Sequence, residues 1–148
     1  MIASPIHPVL VAEDSDEDFE TVLEAIEKAG LPNPVRRATT GDGCLALLRG
    51  EGGEEVRPAL VLMDLNMPGL DGRDALAAIR AEPAFRGLPV VILSTSANPR
   101  DVAFCYFHGA NAYHVKPVRY TDHLQLLAEL LVYWLRIVIL PEIEEPAS

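Results

Sequence analysis

Basic residues are scarce in this chain: 12 lysines and arginines stand against 22 aspartates and glutamates, for a formal charge of −10 and a pI near 4.7. Nucleic-acid affinity rests on cations that neutralise phosphates, so direct DNA or RNA binding is not expected. Cysteine is rarer still. Cys44 and Cys105 are the only two, and neither sits in a CxxC or Cys/His spacing; this argues against a zinc site or a disulfide framework and assigns both to a reduced, buried core. Long apolar runs are also missing. The most apolar stretch, Leu124 to Leu140, is broken by Gln125, Glu129 and Arg136, and is short for a membrane span of about 20 apolar residues. The N-terminus has no basic segment followed by an apolar run, so no secretory signal is expected. A soluble, cytoplasmic protein follows.

What is present is enough apolar material for a core: 49% of the 148 residues are hydrophobic and 23% charged. That suits one domain over residues 1–148, with a core at about 8–136 and a C-terminal extension at about 137–148, and leaves no room for a second folded output domain. Four short apolar runs lie near 8–13, 59–64, 89–94 and 112–116, each followed by a helical pattern, and the weaker run Val35-Arg36-Arg37-Ala38 suits an edge strand. Strand–helix alternation predicts an α/β fold, a (βα)₅ parallel sheet covered on both faces. Phe19, Val22, Leu23 and Ile26 mark the first helix, which begins near Asp16 and stops at Gly30. Leu45 and Leu48 mark a second after Asp42, Leu76 and Ile79 a third over Gly72 to Arg80, and Val102, Tyr106 and Phe107 a fourth over Pro99 to His108. Arg49 to Pro58 reads as a solvated loop and Pro141 to Ser148 as an acidic tail.

Ligands of doubly wound sheets collect outside the carboxyl ends of the strands, near the point where strand order reverses. Glu13 and Asp14 after Val9-Leu10-Val11, Asp64 after Leu62-Met63, Ser94 after Ile92-Leu93, and Lys116-Pro117 after His114-Val115 all fall at such ends. Together they describe a site for receiving a phosphoryl group. Asp64 is the acceptor carboxylate, and charge developing on the transferred group needs fixed cations and donors. Clustered acids beside Asp64 repel one another when ionised; a hard divalent cation, Mg²⁺, removes that cost. Lys116 can pair with one phosphoryl oxygen and the Ser94 hydroxyl can donate to another.

These residues, with Met67-Pro68-Gly69-x-Asp71-Gly72 after the acceptor, resemble the receiver domain of two-component response regulators over about residues 8 to 136. The resemblance implies a flavodoxin-like, doubly wound sheet of strand order 2-1-3-4-5. It implies metal ligation by Asp14, Asp64 and the Asn66 backbone carbonyl, with Glu13 acting through water. It also implies Ser94 and Tyr113 as a paired switch, a cis bond at Lys116–Pro117, and a phosphoryl group supplied by a histidine on a sensor kinase. The Leu-Ser-Thr-Ser run and the Tyr133-Trp134-Leu135 segment ahead of Leu140-Pro141 resemble the small single-domain regulators that partner phytochrome-type kinases. Phosphorylation is then expected to be reported by the surface from the fourth to the fifth helix, and the protein is a phosphoacceptor that catalyses its own phosphorylation and dephosphorylation.

Plainer readings compete at several positions. Glu13-Asp14 alone could be an acidic turn capping the first helix, and Asp64 alone a turn-former before Pro68-Gly69. Asp16, Glu17, Asp18 and Glu20 are assigned to a solvated helix start, and Asn98 with Arg100 to the start of the fourth helix. His7, His108, His114 and His123 form no metal spacing, and His114 is assigned a structural role. In the last helix, Leu124, Leu127, Leu131 and Leu135 form a core stripe. Leu126, Leu130, Tyr133, Trp134 and Ile137 remain on another face, where they predict a homodimer with Ile137 to Leu140 reaching across as an arm. Two other classes stay in view: a pseudo-receiver scaffold, which predicts loss of an acid, the acceptor or the lysine, and a Mg²⁺-dependent phosphohydrolase of the haloacid-dehalogenase type, which predicts a second aspartate where Asn66 stands.

Overall fold

Alternation along the strands decides the architecture, because successive side chains of a strand point to opposite faces. In the computed structural model, which describes residues 6–143, β1 (Val9–Ala12), β2 (Val35–Ala38), β3 (Leu60–Asp64), β4 (Val90–Ser94) and β5 (Ala112–Val115) form one parallel sheet in the order β2-β1-β3-β4-β5. Leu10, Ala12, Val61, Met63, Val90 and Ile92 face one layer, where they pack with Cys44, Leu48, Leu76, Ile79 and Cys105. Val9, Val11, Leu60, Leu62, Val91 and Leu93 face the other, against Val22, Ile26, Leu127 and Leu131. The first layer is α2 (Gly41–Arg49), α3 (Gly72–Ala81) and α4 (Pro99–Phe107), and the second is α1 (Asp16–Lys28) and α5 (Tyr120–Val132). This is the flavodoxin-like (βα)₅ fold, and its strand order reverses between β1 and β3.

Local chemistry starts α1, α3 and α4 where the sequence reading put them, and α2 two residues earlier, with Asp42 inside its first turn. Ser15, Thr40, Asp71 and Asn98 each accept a backbone N–H of the first turn, from Asp18, Gly43, Arg73 with Asp74, and Arg100 respectively. Pro99 opens α4 at the position where a missing N–H costs nothing, and α2 ends on Gly50 at φ 74°, the left-handed C-terminal stop. The last turn, Tyr133–Ile137, widens to π-helical spacing, with Val138 N–H donating to the Tyr133 carbonyl at 2.9 Å. No helix among the described residues is long and apolar enough to cross a membrane. Residues 144–148 of the expected acidic tail lie outside the described residues.

Two helix faces differ from expectation. Leu130, assigned to a dimer surface, is only 5% exposed and belongs to the core with Leu127 and Leu131. The buried stripe of a surface helix is wider than a single row and takes positions i, i+3 and i+4 together. Leu126 and Trp134 are part-buried against the same cluster, while Tyr133 and Ile137 are exposed. On α4 the core-facing residue is Cys105, with Phe104 partly buried; Tyr106 and Phe107, expected inside, lie outside, Phe107 at 86% exposure.

Candidate functional site

Glu13, Asp64, Ser94 and Lys116 sit at the carboxyl edge of the sheet because each immediately follows, or ends, an apolar strand. Glu13 extends β1, its N–H donating to the Ala38 carbonyl of β2 at 2.9 Å. Asp64 ends β3 and pairs in register with Leu93, one residue before Ser94. Lys116 is pinned to the end of β4 by its N–H, which donates to the Ser94 carbonyl at 2.8 Å. All four side chains are buried, with residue exposures of 8% or less, so the polar groups meet in a setting where each needs a partner.

For the carboxylates the partner is the Lys116 ammonium. Nζ donates to Glu13 Oε1 at 2.5 Å, Asp18 Oδ2 at 2.8 Å and Asp64 Oδ2 at 3.3 Å. Burial pulls the ammonium pKa down, but hydrogen bonds to Asp18 and Glu13 and the charges of Glu13 and Asp64 outweigh it, and the net shift is upward. Burial is the largest influence on Glu13; with the neighbouring Asp64 it pushes that carboxyl up to about 7 against the pull of Lys116. His123 is buried beside the same groups, and burial lowers its pKa.

Close packing of the loop after β3 shapes the surroundings of Asp64. Asn66 N–H donates to Asp64 Oδ1 at 3.2 Å, and Gly72 N–H donates to the Leu65 carbonyl at 2.9 Å. A Cβ on Gly72 would lie 2.2 Å from the Asp64 carbonyl oxygen and 2.7 Å from Leu65 Cα, so only glycine lets the start of α3 fold back against Asp64. Beyond Ser94, whose Oγ accepts the Ser96 N–H at 3.1 Å, a polar chain runs outward. Tyr113 Oη donates to the Ser96 carbonyl at 2.7 Å, Ser96 Oγ donates to Asp101 Oδ2 at 2.6 Å, and Arg73 Nε donates to Asp101 Oδ1 at 2.9 Å. The Ser96 hydrogen bond and then Arg73 hold the Asp101 carboxyl below its ordinary range.

Carboxylate oxygens of Glu13, Asp14 and Asp64 lie within 4.8 Å of one another. Three hard oxygen donors, two of them buried, suit a hard divalent cation that keeps some of its waters. Asp14 is exposed, which leaves the cluster open on the solvent side.

The structure thus brings together Glu13, Asp14, Asp64 and Lys116, named from sequence, and places Ser94 at the adjoining strand end and Tyr113 against the carbonyl of Ser96. Among the described residues no peptide bond is cis, so the bond between Lys116 and Pro117 is trans, contrary to expectation. For X–Pro the trans form is intrinsically favoured by about 0.5–1 kcal/mol, and Lys116 reaches the acids from it. Asp16, Glu17 and Glu20 are exposed, as a solvated helix start requires, but Asp18 turns to Lys116 and was missed. Its signal was weak: an acid at the third position of α1, in a run of acids that all suit a helix N-terminus.

Comparison with known proteins agrees with this geometry. Residues 9–128 match the response regulator receiver domain model. Response regulator Rcp1 of Synechocystis is 33% identical over 141 residues, covering 94% of this chain and 96% of its own length. Among solved structures, the phosphorylated cyanobacterial phytochrome response regulator RcpA superposes with a TM-score of 0.88 at 32% identity, over 93% of this chain and 100% of that one. The Mn²⁺-bound form of Rcp1 has the same TM-score at 33% identity, over 92% and 99%. With Glu13, Asp14, Asp64 and Lys116 assembled at the switch point of the sheet, the chain belongs to the response regulator receiver domain family.

Proposed function

We infer that the chain works as a stand-alone response regulator in which Asp64 accepts a phosphoryl group from the phosphohistidine of a sensor kinase, with Mg²⁺ at Glu13, Asp14 and Asp64. The observation that carries this is the convergence of one ammonium and three carboxylates on a single point at the strand ends. Bound there, a divalent cation neutralises the acids and the charge on the transferred group. The chain's own residues supply the rest. The Asp64 carboxylate is the nucleophile, Lys116 offers an N–H to a phosphoryl oxygen, and Ser94 offers its hydroxyl to another. Asp14, Asp64 and the Asn66 backbone carbonyl would hold the metal, with Glu13 acting through water.

Signal output follows from Ser94 and Tyr113 moving together, which is supported by the hydrogen bond from Tyr113 to the carbonyl of Ser96, two residues from Ser94. The receiving surface runs from α4 to α5, where Tyr106, Phe107, Val115, Val118 and Tyr120 are all exposed. Apolar groups grouped this way mark partner surfaces. The likeness to regulators whose names carry phytochrome supports a phytochrome-type kinase as donor. A homodimer through Tyr133, Ile137 and the part-buried Leu126 and Trp134 is the companion proposal; a monomer at micromolar concentration by sedimentation, with and without phosphorylation, would rule it out.

The test of the phosphoacceptor role is intact-protein mass spectrometry after incubation with acetyl phosphate, with and without Mg²⁺, on the wild type and Asp64→Asn. One added phosphoryl group that requires both Mg²⁺ and Asp64 is expected. No adduct under cold, rapid quenching, together with no beryllofluoride binding, would leave a scaffold role instead.

A further inference from the structure

An ammonium has three N–H donors, and at Lys116 three carboxylates take them. The three contacts are unequal. Asp64, the group that must react, holds the longest at 3.3 Å, while Glu13 and Asp18 hold the ammonium at 2.5 and 2.8 Å. A single short hydrogen bond leaves an ammonium free to swing on a cone. Two from separate carboxylates hold it, and direct the remaining N–H.

Asp18 is built to give that second hold. It lies in the first turn of α1, with its N–H donating to Ser15 Oγ at 3.2 Å, and the Ser15 N–H in turn donates to Glu13 Oε2 at 3.3 Å. An acid at this helix position often reaches back to the capping residue's N–H. Here Glu13 already occupies that N–H, so the Asp18 carboxylate is free to reach Lys116 across 98 residues of sequence. It stands outside the metal-binding triad of Glu13, Asp14 and Asp64.

We propose that Asp18 is a positioning residue for phosphoryl transfer: with Glu13 it clamps two N–H groups of Lys116, so that the third points at the acceptor and, after transfer, at a phosphoryl oxygen. The proposal rests on the phosphoacceptor reading of Asp64. In the step it serves, an Asp64 carboxylate oxygen bonds to phosphorus as the bond from phosphorus to the donor's leaving atom breaks, a nitrogen in phosphohistidine and an oxygen in acetyl phosphate. With acetyl phosphate, acetate departs with the electron pair and no proton need move. A mere extra negative charge at Asp18 would act in the opposite sense, because removing it would favour a dianionic group beside Lys116.

The test is the initial rate of phosphorylation by acetyl phosphate at saturating Mg²⁺, read by intact mass, for Asp18→Ala and Asp18→Asn, each alone and with Lys116→Met. Asp18→Ala is expected to slow the wild-type chain by about tenfold, and Asp18→Asn, which keeps an acceptor oxygen, to recover most of that loss. In the Lys116→Met chain, Asp18→Ala should change the rate by less than about twofold. Should that chain label too slowly to time, the recovery by asparagine decides alone. Mg²⁺ affinity by calorimetry should stay within about twofold, since Asp18 is not in the triad. An unchanged or faster Asp18→Ala, equal loss in Asp18→Asn, or equal loss without Lys116 would overturn the proposal. A wild type that takes no phosphoryl group would instead overturn the phosphoacceptor reading.

Discussion

Replacing Lys116 by methionine keeps most of the side chain's apolar length and removes the one ammonium that the acids share. Breaking a buried ion pair by deleting one partner costs about 3–5 kcal/mol, and Lys116, Glu13 and Asp64 all qualify as buried at 8%, 5% and 7% exposure. The Asp18 side chain is 33% exposed, so solvent screens that contact and it adds little. The loss has an upper limit set by protonation. The Glu13 carboxyl stands at about 7 with Lys116 in place and must rise without it, so the variant can take up a proton rather than bear an uncompensated charge. Below pH 7 Glu13 is protonated in both chains and its share of the penalty is small. Above pH 7 only the wild type ionises freely, and the gap widens by about 1.4 kcal/mol per pH unit until the variant's higher pKa is reached. Urea denaturation in EDTA at pH 6 and pH 8.5 reads this directly. Between pH 7 and pH 8.5 the gap widens by about 2 kcal/mol, which corresponds to a further melting-temperature drop of about 4–8 °C. Saturating Mg²⁺ should narrow the gap, because a bound cation neutralises the same acids. A penalty independent of both pH and Mg²⁺ would refute the shared-counterion account.

Other outcomes follow from single contacts. Gly72→Ala places a Cβ 2.2 Å from the Asp64 carbonyl oxygen; with backbone unable to yield cheaply, melting temperature and acetyl phosphate labelling should fall together, and a chain that labels normally would contradict the packing. Leu130→Ala should cost about 2–5 kcal/mol in denaturant unfolding, whereas Ile137→Ala, at 66% exposure, should change monomer stability by less than about 0.5 kcal/mol; similar costs at both sites would restore Leu130 to the surface. His114 and His123 have pKa values lowered by burial, so the folded chain binds protons there more weakly than the unfolded one. Their stabilising contribution is full above the unfolded value of about 6.5 and is lost as pH falls through their lower folded values. NMR titration of the two imidazoles should give midpoints below 6.5, and a midpoint above it for either would contradict its burial.

What the sequence determined by itself is local and periodic. Runs such as Val90-Val91-Ile92-Leu93 are apolar on consecutive residues because both faces of a central parallel strand are covered, and Ser15, Thr40, Asp71 and Asn98 start helices through hydrogen bonds spanning two or three residues. The placement of Glu13, Asp64, Ser94 and Lys116 was legible for the same reason: each ends or follows an apolar strand, and in a doubly wound sheet those ends converge. Tertiary structure decided what depends on distance in the chain. Only folding brings α1 against the end of β5, so Asp18 read as one more solvated acid until its contact with Lys116 formed. Helical periodicity identified an apolar helix at α5 but not how far around it the core extends, which is why Leu130 changed faces. The isomer at Lys116–Pro117 rests on a free-energy difference of about 0.5–1 kcal/mol, too small for local sequence to settle against the packing of the site.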